Sequence, residues 1–343
     1  MPADIPAPPE LPVVHLTSEL TQARLSQLRS TGDLRRVRRG AYVQIAASDP
    51  PWRRRETMML ARCVAIARTA SATYAFSHVS AALIHGCPIW TPEPAAHLTQ
   101  TVTPSVRPGT DVRRHVSRVP ADELTRIRGL PVTTLERTVL DCIRNLHPRD
   151  GLVIADAAMR ISIRPDRRHR EAYAEKIEEL RNRLLARLER PDMARGRRRA
   201  RAVLRAADPY AESAAESVLR WIAVSRGLRR PTTQYPIETH EGLFYSDMAW
   251  VFRRAYSDGS PGPSLVLHAE FDGQGKYGED APRALAAVRA EKVREDAIRE
   301  VSGPMVRFTR PALDDPVAVF ARLTKHVTRK YVLTLRADPD LHG

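Results

Sequence analysis

Apolar positions along this chain recur with two periods, and each switch of period marks an expected element. Leu20, Leu25 and Leu28 sit at near-helical spacing within 18–30, with Arg24 and Arg29 on the other side. Thr31-Gly32-Asp33 ends that helix, and residues 34–38 and 41–45 then alternate as two strands around an Arg39-Gly40 turn. Asp49-Pro50-Pro51 opens a second unit. There, 57–70 and 78–85 predict buried helices, 96–102 and 111–116 predict strands, and Thr133-Thr134 introduces a helix over 135–146. Ile177, Leu180, Leu184 and Leu188 give 171–188 a helical stripe, supported by Glu/Arg pairs three or four apart.

The last third reads as helix, three strands, helix, strand, helix. Asp208-Pro209 is expected to start the first helix, with Val218, Leu219 and Ile222 inward, Glu212 and Glu216 on successive turns, and Gly227 as its end. Strands follow at 234–239, 243–252 and 264–272, the last two separated by a loop over 253–263 rich in Gly, Ser and Pro. A long helix over 282–300, a short strand over 305–309 and a helix over 316–327 close the unit.

Charge changes this picture by naming a partner. The net charge is +15, which raises affinity for polyanions and speeds encounters with them. The excess is uneven: +6 in 1–159, +9 in 160–205 and zero in 206–343. Nucleic acid is therefore the leading partner, and the charge attracts RNA as readily as DNA. An anionic membrane is the competitor, but the most apolar run, 57–72, carries Arg62 and Arg68 and is too short to span a bilayer. Residues 1–10 are proline-rich and acidic, unlike a secretory leader, and are expected to be a disordered lead-in. Cys63, Cys87 and Cys142 form no CxxC pair, which points to buried thiols in a soluble cytoplasmic protein.

A helix followed by a basic hairpin has the layout of a winged helix, whose wing would set Arg35, Arg36, Arg38 and Arg39 against phosphates. The alternative is a small solvated hairpin. Arg197, Arg198 and Arg199 are either a phosphate-contacting stripe or a solvated face. His78, His85, His97 and His115 match no metal-binding spacing, and isolated histidines are expected to be core or surface groups.

Two acidic positions invite chemistry. Asp247 lies inside the apolar run Leu243-Phe-Tyr-Ser-Asp-Met-Ala-Trp250, and Glu270 and Asp272 end Leu265-Val-Leu-His-Ala-Glu-Phe-Asp272. Strand alternation puts Glu270 and Asp272 on one face, where carboxylates repel unless a cation compensates. Magnesium takes one or two carboxylates, waters and phosphate oxygens, the chemistry of phosphodiester cleavage. Gly273 and Gly275 let backbone approach a ligand, and Lys276 supplies a cation. The competing reading pairs these acids with arginines such as Arg307.

Glu216-Ser-Val-Leu-Arg220, Tyr245-Ser-Asp-Met-Ala-Trp250 and Glu270-Phe-Asp-Gly273 with Lys276-Tyr277 resemble the restriction-endonuclease-like PD-(D/E)XK superfamily. The branch related to very-short-patch-repair endonucleases is the most similar, and Glu291-Lys-Val-Arg-Glu-Asp296 and Val306-Arg-Phe-Thr309 continue the pattern. The resemblance implies a Mg2+ (or Mn2+) site at Asp247 and Glu270 with the Phe271 carbonyl, Glu216 assisting, and Asp272 where the superfamily carries a lysine. Leu34-Arg-Arg-Val-Arg-Arg-Gly-Ala-Tyr-Val43, Ser77-His-Val-Ser-Ala-Ala82 and Gly129-Leu-Pro-Val-Thr-Thr-Leu-Glu-Arg-Thr-Val-Leu-Asp141 resemble AbiEi-type antitoxins. That resemblance implies a DNA-reading wing, repression of the protein's own operon, and a toxin or operon partner. Thr133, Glu136, Arg137 and Asp141 are expected to hold the second domain together.

The expected architecture is α/β and multidomain. It comprises a winged-helix-like domain (1–48), an α+β middle domain (49–159), a basic helical linker (160–205) and a restriction-endonuclease-like α/β domain (206–330). The expected function is a DNA-binding protein with a Mg-dependent endonuclease domain in defence or repair. The alternative is a non-catalytic antitoxin and repressor with a silent nuclease fold.

Overall fold

The first chain reversal falls at Arg39-Gly40, where Gly40 takes a φ of +72° that most side chains resist. The computed structural model of the chain describes residues 5–30, 33–92, 95–103, 111–253, 262, 264–272, 297–298, 300 and 303–342, the side chains of Leu25 and Arg29 apart. Strands β1 (Val14–Leu16), β2 (Leu34–Arg38) and β3 (Ala41–Gln44) form an antiparallel sheet in the order β1-β3-β2, with helix α1 (Gln22–Ser30) between β1 and β2. A single α-helix thus precedes the hairpin among the described residues. Val14, Leu16, Val37, Val43 and Ile45 pack on Ala61 and Ala65 of α2 (Pro51–Thr69), where small side chains let sheet and helix come close. The other side of α2, with Met59, Leu60, Cys63 and Ile66, enters the main core. One helix therefore splints the small sheet to everything downstream.

The middle of the chain builds a five-stranded sheet from β4 (Ala75–Phe76), β5 (Ala96–Gln100), β6 (Val112–Val116), β7 (Leu124–Ile127) and β8 (Leu130–Thr133), ordered β6-β5-β4-β8-β7. Helix α3 (His78–Ile84) follows β4, and α4 (Leu135–Asn145) follows β8, capped by the Thr134 side chain. Helix α5 (Pro148–Ile163) has no counterpart in the sequence reading. Pro148 and every residue from Gly151 to Arg160 are buried, so no amphipathic stripe marks it.

The 160–205 segment folds as α6 (Glu171–Leu188) and α7 (Arg197–Ala206), which pack against the middle unit instead of spanning open solvent. Arg181 donates to the carbonyls of Leu204 (3.1 Å) and Ala207 (2.9 Å), and Arg187 and Arg190 both pair with buried Glu123. One continuous apolar core runs from Met59 to Leu341, across the expected borders at 159 and 205.

The last sheet is ordered β12-β11-β10-β9, from β9 (Thr232–Thr239), β10 (Gly242–Phe252), β11 (Leu265–Phe271) and β12 (Met305–Phe308). Neighbours are antiparallel except β11 and β12, which run parallel. Helix α8 (Ala214–Ser225) precedes β9, and α9 (Pro316–Thr324), α10 (Arg329–Val332) and α11 (Pro339–His342) close the chain. The start of α8 corrects the expectation at Asp208. Ser213 Oγ accepts from the Glu216 N–H (3.2 Å) and donates to the Glu216 carboxylate (2.8 Å), a reciprocal cap that starts the helix six residues later. Glu212 consequently lies off the helix. The expected helix over 282–300 falls almost wholly outside the described residues.

The fold is mixed α/β with three sheets among the described residues, and no helix there is long and apolar enough to cross a membrane. Cys63, Cys87 and Cys142 are buried free thiols, and burial pushes those of Cys63 and Cys87 up to about 12.

The joint between the middle and last sheets is ionic. Arg220 of α8, with 0% of its side chain exposed, pairs with Asp156 of α5, which also accepts the Asp208 N–H at 2.8 Å. Removing one member of such a pair strands a buried charge. Arg220→Ala should therefore cost about 3–5 kcal/mol, read by urea unfolding. Combining Arg220→Met with Asp156→Leu should recover most of that loss. A single-variant loss below about 1 kcal/mol, the range of exposed pairs, would show that the joint is not held this way.

Candidate nucleic-acid interface and acidic site

The β2–β3 hairpin carries the four arginines singled out by sequence, but not equivalently. Arg35, Arg36 and Arg39 are exposed. Arg38 is half-buried and pairs with Asp111 at 3.5 Å, just before β6. A register shift between Arg36 and Arg38 breaks the alternation, and the Arg36 Nε donates to the Arg38 carbonyl at 3.4 Å. Arg38 is thus an anchor between hairpin and middle sheet, while the other three face solvent.

Sequence reasoning missed the continuation of this surface on α2. Arg35, Arg54, Arg55 and Arg62 line a groove of about 570 Å³ floored by Met58 and Met59. Arg53, Arg54 and Arg55 occupy the first turn of α2, where the helix dipole disfavours cations and favours an anion. Trp52 beside them is 59% exposed. The signal was present as Trp52-Arg-Arg-Arg55, but the hydrophobic pattern placed the helix start later.

The arginines of α7 are mostly committed. Arg197 donates to the carbonyls of Glu189 (3.2 Å) and Arg190 (2.8 Å), and Arg199 donates to that of Leu146 (3.1 Å). Arg198 is 79% exposed, with Asp340 at 3.5 Å.

The acidic residues gather where α8 meets the last sheet. Glu216 is buried, and its carboxylate accepts from Ser213 Oγ, the Glu212 N–H (2.9 Å) and Gln234 Nε2 (3.4 Å). Burial, with the charge of Asp247 second, pushes its pKa up to about 8. Asp247 on β10 accepts the Phe271 N–H at 2.7 Å, and the β10–β11 register, continued one step past Met248↔Ala269, sets it across from Glu270. Glu270 is buried, and Arg307, its neighbour on β12, donates to it at 3.2 Å. Asp272 is exposed beyond the end of β11, its N–H bonded to the Phe308 carbonyl at 2.8 Å. Lys276 lies outside the described residues, as do Gly273 and Gly275. Among the described residues Arg167 also reaches this end, bonding Gln234 (2.7 Å) and Glu212 (3.4 Å) and covering the Tyr245 ring.

Histidines converge elsewhere. His78, His97 and His115 each bring a ring nitrogen within 4.8 Å of the others, although the chain spaces them far apart. The parallel pairing of β5 with β6 creates this proximity, since it sets Thr99 opposite His115 and so brings His97 and His115 onto adjoining positions. His85 stays outside the group, bonded to the Thr133 carbonyl at 2.8 Å.

Residues 61–189 match a family model described as the AbiEi antitoxin C-terminal domain. The chain is also similar, at 28% identity over 323 residues, to the uncharacterized protein MT2308 of Mycobacterium tuberculosis (strain CDC 1551 / Oshkosh) and the uncharacterized protein Rv2248 of strain H37Rv. The alignment covers 90% of this chain and 98% of each relative, so the likeness extends through the last sheet.

The raised Glu216 carries a pH signature. Its folded pKa of about 8 lies above the ordinary 4.5, so the folded state holds the proton more tightly than the unfolded one. Stability from this group is full below about 4.5, falls as pH rises towards about 8, and levels off above. Asp247→Asn should lower the Glu216 pKa, read by carbon-13 carboxyl titration, and flatten that decline. An unmoved Glu216 titration would show that the two carboxylates do not sense each other.

Proposed function

We propose that this chain is a DNA-binding regulator of the antitoxin type. Supporting it is the AbiEi antitoxin match over residues 61–189, placed directly behind a hairpin that exposes Arg35, Arg36 and Arg39. In this reading the hairpin is the wing, its arginines contact phosphates, and the first turn of α2 extends the contact with Arg54 and Arg55. Phosphate contacts fix register on the duplex, while exposed Trp52 offers a flat face to sugar or base. Arg38 keeps the hairpin seated through Asp111. The regulated target is an operon, and the partner is a toxin encoded with it.

A second reading has its own observation behind it. Burial and the charge of Asp247 raise the Glu216 pKa to about 8, and like charges that sense each other are eased by a proton or a cation. A bound Mg2+ or Mn2+ would replace that proton, so the donor set suits a hard divalent ion. Asp247, Glu270 and the Phe271 carbonyl would hold it, with Glu216 assisting, and the ion would supply Lewis-acid activation for phosphodiester hydrolysis. Arg307, bonded to Glu270, would set its orientation, and Arg167, bonded to Gln234 and Glu212, would be a nearby cation. The chain would then be an endonuclease delivered by its basic front.

Replacing Arg35, Arg36 and Arg39 with Gln should weaken duplex binding and reduce the slope of log K against log salt by about 3, roughly one per lost phosphate contact. Gel-shift titrations at several salt concentrations read this, and an unchanged slope would remove the hairpin from the interface. RNA duplex run in parallel decides between the two polyanions. For the second reading, plasmid nicking with Mg2+ or Mn2+ should vanish in Asp247→Ala/Glu270→Ala. Equal nicking by wild type and variant would end the hydrolase reading and leave the regulator.

A further inference from the structure

We propose that His78, His97 and His115 form a transition-metal site, best suited to Zn2+, independent of both the basic front and the acidic cluster. The three side chains arrive from three elements: the first residue of α3, the second residue of β5 and the edge strand β6. Their ring nitrogens lie within 4.8 Å of one another. His115 Nε2 stands 3.1 Å from His97 Nδ1, near the separation of about 3.3 Å that two imidazoles subtend on one tetrahedral ion with bonds of about 2.0–2.1 Å. The His78 ring stacks on His115 with centroids 3.7 Å apart and planes 14° from parallel, so an ion shared by both would require one ring to rotate out of that stack.

Three features show that the cluster is built rather than incidental. His78 holds a φ of +52°, a left-handed backbone that costs a non-glycine residue about 1–3 kcal/mol. That backbone aims a buried ring at its two partners. Ser77 Oγ lies 3.0 Å from His78 Nδ1, a polar support on one side of the ring, and Asn145 Nδ2 lies 3.5 Å from Nε2, which an ion would take in its place. Polar groups around the site are charge-balanced: Arg137 pairs with Glu123 and Asp141, and Arg144 with Asp141, so the nearby guanidiniums do not stand as a bare positive field.

Imidazole donors suit zinc, copper and nickel rather than magnesium, which prefers oxygen. Three protein ligands leave a fourth position open. His78 and His97 are buried while His115 is partly exposed, so that position opens on the β6 side. An ion there would tie the edge strand β6 to α3. Asp111, which anchors Arg38 of the hairpin, directly precedes β6.

The full chain, stripped with chelator and dialysed, should bind one equivalent of Zn2+ by calorimetry and give the intense visible bands of tetrahedral Co2+ when cobalt is used. X-ray absorption on the zinc-loaded wild type should show imidazole nitrogens as the protein donors. His115→Gln and His97→Gln should each weaken zinc binding by at least about a hundred-fold, beyond the loss expected for a supporting residue. Asp247→Ala/Glu270→Ala should bind zinc as wild type does. The metal-free melting curve of His115→Gln, at the partly exposed position, should match the metal-free wild type. Absence of a stoichiometric zinc site, unchanged affinity in both histidine variants, or an oxygen-only absorption spectrum would overturn the assignment.

Discussion

The pairing of Asp156 with Arg220 joins two helices that carry very different burdens. Helix α5 is buried from Gly151 to Arg160, so the Asp156 carboxylate has no route to water and must meet its counter-charge inside the protein. Arg220 supplies it from α8, and the Asp208 N–H adds a second bond. Glu216 lies one turn before Arg220 on the same face of α8. The pair therefore sets the rotation of α8, and that rotation aims Glu216 at β10. Structure and candidate chemistry share one joint.

Arginine is used here mostly as internal wiring. Glu123 alone gathers Arg137, Arg187 and Arg190, and Arg181, Arg197 and Arg199 are spent on backbone carbonyls at helix ends. A guanidinium suits this because its planar fork satisfies several acceptors at once. Part of the excess charge of 160–205 is thus structural, while Arg195, Arg198 and Arg205 remain exposed there, as Arg35, Arg36 and Arg39 do on the hairpin. Net charge predicts attraction to polyanions, but only geometry shows which arginines remain to meet them.

The acidic cluster shows a comparable division of labour. Each carboxylate already has a protein partner: Ser213, Glu212 and Gln234 for Glu216, the Phe271 N–H for Asp247, and Arg307 for Glu270. Those bonds hold the side chains in place with or without an ion. Burial of two neighbouring acids is what leaves a proton or a cation in demand, and Glu216 records that demand in its raised pKa.

Local periodicity and turn chemistry determined much of this protein directly. The hairpin at Arg39-Gly40, the helix over 171–188, the cap at Thr134 and the succession of strands in the last unit all follow from neighbours within one or two turns of chain. Those elements bury one face and show water the other, so the pattern is written in the residues. Helix α5 was illegible because a helix buried all round has no stripe, and α8 began late because the Ser213–Glu216 cap outcompeted Asp208, which was drawn instead to Thr233 and the Tyr210 N–H. Only tertiary structure decided that His97 and His115 would face each other, because parallel pairing of β5 and β6 joins segments with no local signal linking them. The same holds for Arg38, whose partner Asp111 is set by docking of two sheets, a long-range event that no spacing within the chain announces.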